Sequence, residues 1–228
     1  MSKILMVFGA EGTLGKGATT ALLGKPYDKF YLVNRQFNFF KNSEFVELIT
    51  LDDVTIEENV RAVFKQIDVN KEDELFLFST IGGFAGGIDV EETEYSVWKK
   101  MLDLNLNSSF LIAKHFIPIV KKARGGAIVF TSALSASKPG KSNSAYSVSK
   151  NALNFFVKSL ALEGKKYNLS ANAISPLVID SPENREWVKD EKILVTPERL
   201  GESVNMLFAG YTTLTGNIVE VPGTIDAG

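Results

Sequence analysis

Seven short apolar runs, regularly spaced between helical stretches, restrict the fold of this chain more than any other feature. They are Ile4 to Phe8, Phe30 to Val33, Phe45 to Ile49, Leu75 to Phe78, Ala127 to Thr131, Leu169 to Ile174 and Ile218 to Val221. Most are continuous rather than alternating, the pattern of strands covered on both faces. Helical segments lie between them, clearest over Tyr95 to Lys122 and Ser144 to Lys166, with a shorter one near Pro197 to Ala209. Strand then helix, repeated, predicts an α/β fold in which helices wrap both faces of a parallel sheet through right-handed crossovers. Ligands of such sheets bind at the carboxyl ends of the strands. About ten residues, Arg35 to Glu44, separate the second run from the third, fewer than the dozen or more a helical crossover takes. A loop is expected there, with Phe37, Phe39 and Phe40 capping the sheet edge or, alternatively, touching a cofactor.

A chain of 228 residues with 45% apolar content can bury a substantial core. No linker, repeat or low-complexity tract divides it, so residues 1–228 are expected to form one domain. The net charge of −2 and scattered lysines and arginines argue against nucleic acid as a partner. Without cysteine there is neither a disulfide nor a thiolate nucleophile, in keeping with a cytoplasmic location. The apolar start after Lys3 is too short for a signal peptide and runs into a glycine turn. No run approaches the ~18 apolar residues of a membrane span.

Two motifs carry chemistry. Gly9-Ala10-Glu11-Gly12-Thr13-Leu14-Gly15 lies between the first strand and a helical run. Glycines there let backbone approach a pyrophosphate, and the helix amino end offers free N–H groups. About 20 residues on, where a dinucleotide's ribose is read, stand Asn34 and Arg35. A guanidinium pairs with a 2′-phosphate, which favours NADP over NAD; Glu11 in the glycine loop weighs the other way. The second motif is Tyr146 and Lys150, one helical turn apart. Such neighbours lie side by side, so the ammonium is expected against the phenol, lowering its pKa for proton transfer. An amphipathic surface helix would show the same spacing.

Together these features resemble the short-chain dehydrogenase/reductase family, over nearly the whole chain. The resemblance implies a single Rossmann-type doubly wound parallel sheet of about seven strands and an NAD(P)-dependent oxidoreductase acting on a small molecule. By the same resemblance Lys150 also binds the nicotinamide ribose, Asp53 and Val54 contact adenine, and Ser79 and Gly82 lie beside the adenosine ribose. Asn105 helps hold a proton-relay water, and Pro176, Ile179 and Ser181 belong to the segment holding the carboxamide. Residues 182–196 match the family's substrate lid, and the long helices imply a homodimer or homotetramer. No metal is expected. One family residue is missing: the serine that steadies the substrate oxygen is Ala133 here. Ser135, two residues on, shares its face if the chain stays extended and is the candidate substitute. Within the family, Ala133, the run Gly82-Gly83-Phe84-Ala85-Gly86-Gly87 and the short second crossover are most similar to the dihydropteridine reductases, which implies a quinonoid dihydropterin as one candidate substrate. The absence of an acidic NAD-selecting residue departs from that branch.

His115 reads as a packing residue beside Phe116 and Pro118, while Trp187 reads equally as a substrate contact or a surface residue. Ala133 also motivates a rival reading, a cofactor-binding sensor without chemistry. A third, a nucleotide-sugar epimerase or dehydratase, is disfavoured because such enzymes carry a larger carboxyl-terminal domain.

Overall fold

Alternate residues along each central strand feed two separate cores, one on either side of a seven-stranded parallel sheet. In the computed structural model, which describes residues 1–223, the strands are β1 (Lys3–Phe8), β2 (Lys29–Asn34), β3 (Val46–Thr50), β4 (Glu74–Ser79), β5 (Gly125–Thr131), β6 (Leu169–Pro176) and, last in the chain, β9 (Ile218–Val221). Every residue of β4, β5 and β6 is buried, which explains why those runs lack polar alternation. From β1, Met6 and Phe8 join Leu77, Ile128 and Phe130 under α2 (Glu57–Phe64), α4 (Ser108–Val120) and α5 (Ser144–Gly164). Leu5 and Val7 join Phe76, Phe78 and Val129 under α1 (Thr13–Leu23) and α7 (Pro197–Ala209).

The strand order is β3-β2-β1-β4-β5-β6-β9. The chain moves outward from β1 to β3, then returns to lay β4 on the other side of β1, so the crevice forms between the carboxyl ends of β1 and β4. Register fixes its floor: Phe8 pairs with both Val33 and Ser79. This is the expected doubly wound, Rossmann-type sheet with helices on both faces.

Two local expectations need correction. The helix expected over Tyr95 to Lys122 is α3 (Tyr95–Leu102) and α4, joined by a π-helical turn at Asp103–Asn107. Such widened turns mark functional positions more often than chance, and this one contains Asn105. The helix α2 went unread because its eight residues are too few to show a period. Phe40 is buried and Phe37 partly buried against the α1/α7 core, whereas Phe39 is 58% exposed and does not cap the sheet. The Arg35 to Glu44 crossover is a loop, as expected. Residues 178–195 hold a two-stranded sheet of β7 (Val178–Ile179) and β8 (Leu194–Val195), around a short α6 (Pro182–Arg185).

Candidate active site

The glycine turn opens the crevice. Gly9 has φ +83°, a conformation in which a side chain is strained, and a Cβ on Gly15 would stand 2.0 Å from the Gly9 carbonyl oxygen. Only glycine lets α1 begin this close to β1. Gly12 caps α1 without a side-chain hydrogen bond, so the N–H groups of Thr13, Leu14 and Gly15 at the helix start are available to an anion. Ser79, at the end of β4, is 1% exposed and its hydroxyl has no partner. A cradle that excludes Cβ, open helix N–H groups and an orphaned hydroxyl at the switch point fit a dinucleotide.

Glu11 is accounted for differently. Its carboxylate accepts the N–H groups of Phe39 (3.1 Å) and Phe40 (2.9 Å), with Lys16 3.9 Å away. Burial alone would raise its pKa, yet the backbone N–H groups of Phe40, Phe39 and Asn38 hold it below the usual value. The charge that weighed against a phosphate is spent pinning the short crossover. Asn34 is likewise a scaffold residue, accepting the Glu11 N–H (3.4 Å) and donating to the Gln36 carbonyl (2.8 Å). Arg35 uses only its Nε, donated to the Asp52 carbonyl at 2.8 Å, and is otherwise exposed. Asp53 binds the hydroxyl and N–H of Thr55, which lower its pKa, while Val54 packs against the core. At the far side Pro176 ends β6, Ile179 lies in β7, and the Ser181 hydroxyl caps α6 by accepting the Asn184 N–H at 3.1 Å.

Tyr146 and Lys150 lie in the first two turns of α5. Lys150 is 3% exposed, and its Nζ donates to the Thr131 carbonyl at 2.7 Å. A Cβ on Gly82 would lie 2.9 Å from Lys150 Nζ and 2.7 Å from Asn105 Oδ1, so α5, the π turn and the loop after β4 converge here. Asn105 is fully buried and committed: Oδ1 accepts the Gly83 N–H (2.9 Å), and Nδ2 donates to the Gly83 carbonyl and to Ser149 Oγ, both at 3.0 Å. Ser149 Oγ in turn donates to the Tyr146 carbonyl at 2.7 Å.

The expected lowering of the phenol is not found. Burial pushes Tyr146 up to about 12 and, acting on the opposite charge type, pushes Lys150 down to about 7. Lys150 spends its hydrogen bond on the end of β5 rather than on the phenol. Nor does Ser135 share the Ala133 face: the chain is extended at Ala133 but enters a 3-10 turn at Leu134–Ala136, which breaks the two-residue alternation. The Ser135 hydroxyl is buried without a partner. Phe84, which the sequence motifs leave without a role, meets Tyr146 edge-on with ring centroids 5.0 Å apart. Its only signal was a large apolar residue in a run of glycines. His115 ties α4 to α2 through a polar contact with Glu57 at 3.1 Å, away from Tyr146 and Lys150, and Trp187 is 61% exposed.

The short chain dehydrogenase family profile matches residues 3–192, and the chain belongs to that family of NAD(P)-dependent oxidoreductases. Galactitol 2-dehydrogenase of Rhizobium johnstonii is 29% identical over 189 residues, covering 76% of this chain and 73% of that protein. The human dehydrogenase/reductase SDR family member 4 is 35% identical over 116 residues, covering 50% of this chain and 41% of that protein, less than half its length. The solved structure titled "ElxO with NADP Bound" shares the fold, with a TM-score of 0.84 at 20% identity over 97% of both chains. No helix among the described residues is long and apolar enough to cross a membrane.

Proposed function

We propose that this chain is an NADPH-preferring reductase acting on a carbonyl or imine, with Tyr146 as proton donor. The observation that carries the reading is that Lys150 and Asn105 close on Gly82 in the loop after β4, while Tyr146, one turn earlier on α5, lies against Phe84 of the same loop. NADPH, when bound along the glycine turn, supplies the hydride. Everything else falls to the chain. The Tyr146 phenol, pushed up to about 12, stays protonated through the physiological range and can give its proton to the developing alkoxide or amide. The Lys150 ammonium then stabilises the phenolate left behind. When the cofactor is bound, Lys150 would hold the nicotinamide ribose, Ser79 and Gly82 the adenosine ribose, and Asp53 with Val54 the adenine. Pro176, Ile179 and Ser181 would hold the carboxamide. Asn105 positions the loop after β4, and residues 182–196 cover the substrate.

The preference for NADP over NAD rests on the exposed Arg35 guanidinium and on the engagement of Glu11 by backbone N–H groups. Ala133 leaves no hydroxyl at the usual place beside the substrate oxygen, which keeps a quinonoid dihydropterin among the candidate substrates. The test is oxidation of NADPH and NADH, in parallel, against quinonoid dihydropterin and a set of small ketones. Turnover with NADPH favoured is expected. Tight NADPH binding with no oxidation across the panel would replace this reading with the sensor.

A further inference from the structure

Phe84 stands in the loop after β4, flanked by Gly83 and, after Ala85, by Gly86 and Gly87. Its side chain is 70% exposed, an apolar surface left in water beside the candidate catalytic phenol. Its ring meets Tyr146 at 74°, and its tip lies against Gly86, where an added Cβ would come within 2.8 Å of Phe84 Cζ. Gly86 itself lines a cavity of about 190 Å3, together with Ala85, Ile88, Val97, Ala145 and the two acids Glu92 and Glu94. The Phe84 ring thus touches the Tyr146 ring and Gly86 of the cavity wall, and Ala145, on the same wall, immediately precedes Tyr146. The far wall is tied down, because the Gly87 N–H donates to the Ser142 carbonyl at 2.7 Å.

We infer that Phe84 and this cavity select the substrate: a neutral carbonyl compound with an aryl or similarly apolar arm, the arm lying along the Phe84 ring and filling the cavity. The inference rests on the reductase reading above and names its substrate class. Size permits it, since an apolar cavity on the order of 150 Å3 suffices to take up benzene. Burial favours it, because the arm covers a ring now in water, and aromatic pairs gain further from edge-to-face contact. Charge restricts it: Glu92 and Glu94 repel a carboxylate, so an oxo acid with the same arm is a poor ligand.

The test is calorimetric binding of 4-phenyl-2-butanone and 2-butanone to protein saturated with NADP+, alongside NADPH-dependent turnover of both ketones and of 2-oxo-4-phenylbutanoate. Wild-type protein is expected to bind the phenyl ketone at least tenfold tighter than butanone and to discriminate against the oxo acid. Phe84→Ala should bring the two ketones to within about threefold, and Phe84→Trp should keep the difference, with the Kd for NADPH unchanged in both. A phenyl ketone without advantage in wild-type protein, or an advantage that survives Phe84→Ala, overturns the inference. If the binding pattern holds but nothing is reduced, the reductase reading fails and the assignment of the arm site stands.

Discussion

At the scale of single residues, the site is governed by burial rather than by the pairing its spacing suggested. Tyr146 and Lys150 share a helix face, and the position of each was legible from the sequence. Their ionisation was not, because it depends on what closes over them: Phe84 on the phenol, and Gly82, Asn105 and the end of β5 around the ammonium. With Lys150 pushed down to about 7, its charge is lost as pH rises through that value. If the charge supports proton donation, kcat/KM for reduction, which reports the free enzyme, falls about tenfold per pH unit above ~7; a profile flat from pH 6 to 9 contradicts this. Burial of the same ammonium opposes folding. Between pH 7 and the ordinary lysine range the unfolded chain holds the extra proton, so stability rises with pH across that window. Lys150→Met is therefore expected to raise Tm at neutral pH while removing turnover; a lowered Tm would show that the bond to Thr131 outweighs desolvation. Arg35→Asp tests cofactor choice. It should weaken NADPH at least tenfold and spare NADH, and equal losses for both would remove the argument for a 2′-phosphate.

Among the elements, the β2–β3 crossover shows what one sequence can and cannot disclose. Its length excluded a helix, and a loop is what forms. That Glu11, 28 residues before Phe39 in the chain, holds this loop by its backbone was invisible, since nothing in a glycine turn announces a contact across the sheet edge. Glu11→Ala removes the acceptor shared by the N–H groups of Phe39 and Phe40, of which only the second is partly buried, a loss of about 1 kcal/mol. Because the folded Glu11 pKa is lowered, its contribution is complete above the ordinary carboxylate range and disappears as pH falls through the lowered value. Urea unfolding of Glu11→Ala and wild type at pH 7 and pH 3 measures both; an equal difference at the two pH values would contradict the assignment. The π turn at Asp103–Asn107 was hidden for a similar reason, since the hydrogen bonds of Asn105 run to Gly83, a residue of a different element.

For the whole molecule, the seven apolar runs became the seven strands of the main sheet, and their continuity alone indicated burial on both faces. The switch point between β1 and β4 was implied by that architecture, whereas the small β7–β8 sheet was not, because two-residue strands carry no period. The outer surfaces of α4 and α5 expose Phe110, Phe155 and Leu162. Their burial between two copies is the proposed basis of a homodimer, or of a tetramer built from it. Light scattering should then give at least twice the 25.0 kDa chain mass, and Phe155→Glu should shift it toward the monomer. The proposed chemistry depends on one group, the Tyr146 hydroxyl, and the direct measurement is NADPH oxidation by Tyr146→Phe together with its Kd for NADPH. Loss of about 10²–10⁴-fold in kcat with the Kd within twofold of wild type is the expected result, and turnover equal to wild type would contradict it.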